Sequence, residues 1–392
     1  MKIRVLFAIG GMYGGGSERQ MLRLLQNLDR DRFEPELYLV TAGGELFPEL
    51  PDDLPVHIFQ QRCPEPSGSF PGSAFRAQIR DLAQVLKERG IDVIFDRTYH
   101  MTLITAGAVR LRPTPRISVI VSDPQRDFET NHERFRWIKR RLLMRAYREA
   151  EITACVSTEV CRSAALYHRL SADTIETFDN LFDVARIQQR AAGSVPVQYQ
   201  RKPGWTRIVA SGRLCHAKAY DVLIEAMRKL VYEKQLDRIE LFILGSGPLE
   251  PELREQIHNS KLDAKVILTG FLENPLPLVR SADVYCLSSR YEGMPNSLVE
   301  AILCGTPVVA TDCKSGPREI LENGRLGALV PPDEPQALAN ALEGAVQNLE
   351  AFRERANAAQ SPVAERYSLS RGLKRFDELI SLAQHRFEAK RK

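Results

Sequence analysis

Paired cysteines are the first thing this sequence lacks. The 392 residues include Cys63, Cys155, Cys161, Cys215, Cys286, Cys304 and Cys313, an odd and scattered set without a C-x-x-C pair. Neither a zinc site nor a disulfide framework is indicated. Several of the seven lie inside apolar runs and read as small buried hydrophobes of a reducing compartment. Long apolar runs are also missing; none approaches the ~18–20 residues that a bilayer crossing needs. The apolar run within Met1–Gly10 is short and ends in glycines, without a small-residue cleavage pattern. It reads as a first buried strand, not a signal peptide. The expectation is a cytoplasmic protein, or one peripheral on the inner face of the plasma membrane. Excess charge is scarce as well: a net charge of +4 makes no case for nucleic acid. Repeats and low-complexity tracts are absent.

What is present is an ordinary globular composition, 44% hydrophobic and 27% charged, on a chain long enough for two domains with sizeable cores. Short β-branched apolar runs alternate with helical patterns. In the first half the strand candidates are Arg4–Ile9, Glu36–Thr41, Val56–Phe59, Val93–Asp96, Arg116–Val121, Ile152–Val156 and Thr174–Thr177. Helical stretches such as Glu18–Leu28, Arg76–Arg89 and Arg134–Ala150 separate them. A second series runs through Arg207–Ser211, Glu240–Leu244, Lys265–Thr269, Val284–Leu287, Pro307–Ala310 and Ala328–Val330. This βαβα signature, occurring twice, predicts two doubly wound α/β domains with parallel sheets. Their expected extents are 1–185 and 205–365. A Gly/Pro-containing linker at 186–204 joins them, and a final helix at 366–392 follows, with the first domain as one place for it to pack. Ligands of such sheets bind at the carboxyl ends of the strands.

The loop Gly10–Glu18 follows the first strand and opens a helix. Gly14, Gly15 and Gly16 permit close backbone approach to a ligand, and Ser17 is placed to cap the helix. A merely tight turn is the plain alternative. A dinucleotide fingerprint does not fit: no register gives G-x-G-x-x-G, and Val40-Thr41-Ala42 lacks the acid that would hold an adenosine ribose. The Walker pattern is absent too. Ser211–Lys218 follows the first strand of the second series. It brings Arg213 and Lys218 to a sheet mouth, where a planar fork and a point charge suit a diphosphate; two solvated cations are the alternative. Gly245-Ser-Gly-Pro248, with Gly247, is a second close-approach turn, and Gly270-Phe271 follows the next strand.

The most informative stretch is Ser289–Thr311. Glu292 lies in a Gly/Pro loop, Glu300 eight positions on lies on the helix that follows, and helix-start N–H groups lie between them. That arrangement suits a charged, hydroxyl-rich ligand, with the anion at the helix start and hydroxyls on the carboxylates. The plain alternative is an S-x-x-E capping box of Ser297 and Glu300 beside a solvated Glu292.

In this order the pieces resemble the GT-B glycosyltransferases, specifically the retaining family 4 group, over nearly the whole chain. The matching marks are Gly14–Glu18, Gly212-Arg213 with Lys218, Gly245–Pro248, Gly270-Phe271, Glu292–Glu300, Gly305–Ala310, Ser315–Glu319, and Asn180 with Asp183. The resemblance implies that Arg213 and Lys218 neutralise the diphosphate of a UDP-sugar donor. It implies that Glu300 holds the ribose and Glu292 contacts the donor sugar, helped by backbone at Gly293, Met294, Pro295 and Asn296. Amides at Ser297 and Leu298 would face the phosphates. The loop Gly14–Gly16 would close on the donor, and Phe271 would flank the base. No Asp-x-Asp lies in a suitable loop, so neither metal nor cofactor is expected. Two departures stand out. Ala219 occupies a position where relatives commonly have glycine. The strand Arg116–Val121 ends in Ser122-Asp123, where many relatives carry a histidine; His100, after an earlier strand, is a substitute that no motif fixes.

The expected partners are a nucleotide sugar and a saccharide or lipid-linked acceptor. The segment His132–Glu149 carries Arg134, Arg136, Lys139, Arg140, Arg141, Arg145 and Arg148 among Phe135, Trp137, Leu142, Leu143 and Tyr147. It reads either as an anionic-membrane helix or as an ordinary surface helix. Two further functions remain open: a sugar-nucleotide-processing enzyme such as an epimerase on the same scaffold, and a non-catalytic sugar-nucleotide-binding protein.

Overall fold

The computed structural model describes residues 2–64, 72–125 and 136–391. The chain divides into two units, Met1–Leu181 with Leu369–Lys392, and Phe182–Ser368. The first unit is built on β1 (Ile3–Ile9), β2 (Phe33–Leu39), β3 (Val56–Ile58), β4 (Val93–Arg97), β5 (Arg116–Ile120), β6 (Ile152–Cys155) and β7 (Ile175–Thr177). They form one parallel sheet in the order β3-β2-β1-β4-β5-β6-β7. β1 pairs with β2 on one side and β4 on the other, so the winding reverses between β1 and β4. Each strand expected in this half forms. β2 begins earlier than Glu36 because the whole of β1 pairs with it, from Ile3↔Phe33 to Ile9↔Leu39. Pro35 is tolerated there because β3 joins β2 only from Leu37 onward, so no partner needs the missing N–H.

The last helix, Leu369–Ala389, belongs to this unit. Its Phe376 ring stacks on Phe7 at 5.6 Å and meets Phe95 edge-on at 5.4 Å. Phe178 and Phe33 complete a buried aromatic cluster whose members lie far apart in sequence. Arg375 and Arg386 both bond Glu176 on β7, which fixes the helix along the sheet.

The second unit is built on β8 (Thr206–Ser211), β9 (Ile239–Leu244), β10 (Val266–Gly270), β11 (Val284–Leu287), β12 (Val308–Thr311) and β13 (Ala328–Val330). All are parallel, in the order β10-β9-β8-β11-β12-β13, and the reversal falls between β8 and β11. Near-continuous apolar runs such as Ile239–Leu244 are buried along their whole length, as helices on both faces require. The stretch 186–204 lies within this unit. Asp183 caps the helix Val184–Ala191 through Arg186 N at 2.9 Å, and Arg190 donates to the Glu273 carbonyl at 2.7 Å. Asn274 Nδ2 returns a bond to the Arg190 carbonyl at 3.0 Å. Arg190, inside this stretch, is thereby packed against the loop at Glu273 and Asn274. Among the described residues, no helix is long and apolar enough to cross a membrane.

One buried charge pair holds the start of the second sheet. Arg207 on β8 is fully buried, and its Nε and Nη2 bond Glu240 Oε1 on β9 at 2.9 and 2.8 Å. Removing one partner strands the other charge in a dry interior. Glu240→Ala should therefore cost about 3–5 kcal/mol, read as a lower urea midpoint for the second unit's transition.

Candidate active site

At a switch point the loops of two neighbouring strands turn away to opposite sides, which leaves a crevice at their carboxyl ends. In the second unit the loop after β8 carries Arg213 and Lys218, and the loop after β11 carries Glu292. The two loops are tied together by backbone. Arg290 N donates to the Ala217 carbonyl at 2.8 Å, and Ser288 Oγ to the Lys218 carbonyl at 2.7 Å. Arg290 further clamps both loops, reaching the His216 carbonyl at 2.9 Å and the carboxylates of Asp221 and Asp333. Lys218 Nζ and Glu292 Oε1 face each other at 2.6 Å across this seam.

Glu292 Oε1 also accepts Ser289 Oγ at 2.6 Å. Both charged side chains are largely buried, at 19% and 11% exposure. Burial alone would pull down the Lys218 pKa. The adjacent Glu292 carboxylate outweighs it, so the ammonium is held above the ordinary lysine range. Arg213 differs: it is exposed and makes no hydrogen bond or ion pair among the described residues. Of the two cations at this switch point, Lys218 is paired with a carboxylate and Arg213 is exposed.

Ala219 has φ 50° and begins the helix Tyr220–Tyr232. That left-handed conformation is the physical reason a glycine suits the position, since a Cβ there costs roughly 1–2 kcal/mol. The turn after β9 is equally constrained. A Cβ on Gly247 would lie 2.4 Å from the Leu214 carbonyl oxygen, so the two loops approach backbone to backbone. Phe271, just past β10, is 52% exposed.

The helix after Glu292 spans Asn296–Leu303 with Pro295 at its N-cap and no side-chain cap. The alternative reading of this segment, a Ser297–Glu300 capping box, is not formed, because the helix starts one residue before Ser297 and places its hydroxyl inside the first turn. The Leu298 amide donates to the Pro295 carbonyl at 3.1 Å. Gly293, Met294, Pro295 and Leu298 are buried, while Asn296, Ser297 and Glu300 are partly exposed on the same turn.

Two family models match the chain: the one described as glycosyl transferases group 1 over residues 206–348, and the one described as glycosyltransferase family 4 over residues 14–186. The chain belongs to this glycosyltransferase family. It is similar to an uncharacterised glycosyltransferase of Methanocaldococcus jannaschii, 29% identical over 45% of this chain and 43% of that protein. That match spans less than half of the archaeal protein's length. A second relative is the N-acetylgalactosamine-N,N'-diacetylbacillosaminyl-diphospho-undecaprenol 4-alpha-N-acetylgalactosaminyltransferase of Campylobacter jejuni, 25% identical over 84% of this chain and 86% of that one. Among solved structures, HepE of Anabaena in complex with UDP superposes with a TM-score of 0.75 at 22% identity, covering 97% of this chain and 100% of that chain. The two parallel-sheet units are those of the GT-B fold.

In this glycosyltransferase the other marks fall as follows. Gly14, Gly15 and Gly16 stand at the start of the helix Gly16–Asn27 after β1, with the Gly14 amide donating to Glu45 Oε2 at 3.0 Å. Ser17 lies inside that helix and Gly15 is its N-cap, so the expected serine cap is absent. Asp183 caps a helix, and Asn180 Oδ1 accepts from Arg97 Nη2 at 2.9 Å. His100 is exposed on the helix Tyr99–Leu111. Asp123 is fully buried and accepts Ser163 Oγ at 2.6 Å, so it is committed to holding its loop. Sequence reading missed Ser289 and Arg290. A serine three residues before a loop glutamate was the available signal for the first; the ion pairs of Arg290 reach Asp221 and Asp333 and had none.

The Lys218–Glu292 pair has a definite pH signature. The folded pKa of Lys218 is raised, so the pair's contribution is full below the unfolded value near 10.5 and is lost as pH rises through the folded value. The stability gap between wild type and Glu292→Gln should stay constant from pH 7 to about 10 and narrow above that. Urea titrations at stepped pH check it; a gap that closes between pH 5 and 8 would contradict it.

Proposed function

We propose that the chain is a retaining glycosyltransferase that moves a hexose or N-acetylhexosamine from a UDP-sugar to a saccharide or lipid-linked saccharide acceptor. The observation that carries this is the pair of cations at the β8/β11 switch point, one free and one held against a carboxylate. Negative charge grows on the leaving diphosphate as the glycosidic bond breaks, and preorganised cations stabilise it without reorganising. Arg213 supplies a planar fork and Lys218 a point charge. Lys218 turns from Glu292 to the phosphate, and the released Glu292 carboxylate accepts hydroxyls of the donor sugar. The start of the helix Asn296–Leu303 adds its dipole, Glu300 takes the ribose, and exposed Phe271 covers the base. UDP in the HepE complex and the diphospho-undecaprenol in the Campylobacter enzyme's name support this choice of donor and acceptor.

The helix Arg136–Glu149 supports a lipid-bound acceptor. Leu143, Ala146 and Tyr147 pack inward, whereas Trp137, Ile138 and Leu142 are 70%, 38% and 44% exposed among Lys139, Arg140, Arg141, Arg145 and Arg148. The preceding residues 132–135 of the basic segment lie outside the described residues. Exposed apolar side chains ringed by cations suit an anionic lipid surface, where each cation near the membrane adds about 1 kcal/mol.

Two experiments test these readings. UDP should raise the melting temperature more than GDP, ADP or NAD without added metal, and Arg213→Ala and Glu300→Ala should abolish that rise while folding normally. An equal response to NAD would remove the donor assignment, and turnover without any acceptor requirement would favour an epimerase-like enzyme. In a Trp205→Phe background, anionic vesicles should blue-shift Trp137 fluorescence, and high salt should reverse the shift. Equal binding to neutral vesicles would sink the electrostatic docking.

A further inference from the structure

Glu292 is held through a single oxygen. Its Oε1 accepts both Lys218 Nζ and Ser289 Oγ, each at 2.6 Å, while Oε2 accepts no hydrogen bond among the described residues. The carboxylate is thus turned so that one oxygen is doubly held and the other is left for a further donor. The two holders come from different places. Lys218 belongs to the loop after β8 and reaches Glu292 across the seam; Ser289 belongs to Glu292's own loop, three residues before it.

Ser289 is built into the seam. It is 0% exposed, and its carbonyl accepts Thr311 Oγ1, from the last residue of β12, at 2.6 Å. On either side of it, Ser288 Oγ donates to the Lys218 carbonyl and Arg290 N to the Ala217 carbonyl. The hydroxyls of Ser288 and Thr311 both end on backbone carbonyls. Ser289 alone of these three donates to a carboxylate, a bond roughly twice as strong as one between neutral groups. A buried serine fixed from both sides cannot follow a moving partner; it keeps Glu292 in place.

The two holders respond differently to an anion. In the mechanism proposed above, on which this inference rests, Lys218 leaves Glu292 for the diphosphate. The Glu292 side chain, only 11% exposed, then loses its counter-charge where little water reaches it. A largely buried carboxylate without a partner is costly and turns toward any donor within reach. Ser289 opposes that turn, because it is anchored to β12 through Thr311 and not to the loop that carries Lys218.

We propose that Ser289 is a positioning residue for the donor sugar: it holds Glu292 Oε1 while Lys218 is engaged with the diphosphate, so that Oε2 stays aimed at the sugar hydroxyls. Ser289 acts through Glu292 and touches neither the nucleotide nor the sugar. Thr311 supports it from β12. The residue therefore governs what the sugar adds to binding and leaves the nucleotide's own contacts alone.

Equilibrium binding to the full chain in metal-free buffer separates this role from plain loop shaping. UDP is titrated alongside UDP-glucose, UDP-galactose and their N-acetylated counterparts. For the sugar nucleotide that wild type binds most tightly, Ser289→Ala should weaken binding about tenfold, the factor for one lost hydrogen bond to a charged group. UDP affinity should stay within about twofold of wild type, because UDP does not use Glu292. Thr311→Val, which removes the support and keeps the hydroxyl of Ser289, should shift the same ratio in the same direction by a smaller factor. Adding Ser289→Ala to Glu292→Ala should weaken binding no further than Glu292→Ala alone. If Ser289 only shapes the loop, the seam to Lys218 loosens with it and UDP weakens as much as the sugar nucleotide. That result, an unchanged ratio, or an additive double variant overturns the proposal. Failure of the donor reading looks different: wild type then binds none of the four sugar nucleotides, which removes that reading and this role together.

Discussion

Parallel pairing is the constraint on which this molecule depends. A parallel strand cannot be followed by a tight hairpin; the chain must cross over a face of the sheet before the next strand begins. Every turn that leaves a strand therefore emerges on one edge of its sheet. Where the winding reverses, neighbouring turns part and a crevice remains. Both units obey this, at β1/β4 and at β8/β11. The residues with unusual chemistry, Lys218, Glu292 and Arg213, stand beside the second of these.

The charges in the two sheets fall into two kinds. Arg207 with Glu240, and Arg116 with Asp96, are paired within the strands and hold them in register. Lys218 with Glu292 looks similar by distance but differs in position, since it joins two loops across an open crevice. A pair of that kind can exchange partners when an anion arrives, because a phosphate competes directly for the ammonium.

Much of the fold was legible because strands buried on both faces carry continuous β-branched runs, and the helices between them do not. Val284–Leu287 and Ala328–Val330 form with the ends read from sequence. The ends that moved did so for pairing reasons, as in β2, where β1 recruits Phe33 to Pro35. Neither the expected Ser17 cap nor the alternative Ser297–Glu300 box formed. Both helices begin at or before the residue that was to cap them, which turns a capping serine into a first-turn serine. Within the polar stretch 186–204, the Arg190 guanidinium donates to the Glu273 carbonyl and the Arg190 carbonyl accepts from Asn274, pairings that no local pattern reveals.

The sequence by itself determined the alternation of elements, the glycine turns, and which cations and carboxylates stand near strand ends, because these follow from local conformational preference and hydrophobic period. It also carried enough ordered motifs to identify the family. Tertiary structure alone decided the pairings. Lys218 meets Glu292, Arg207 meets Glu240 and Phe376 meets Phe7 across long separations that depend on strand order. Whether a charge ends with a partner or without one depends on the same order. Arg97 reads as an ordinary strand residue in the sequence, and only the tertiary packing pairs its Nη2 with Asn180 and leaves Nε and Nη1 without a hydrogen-bond partner.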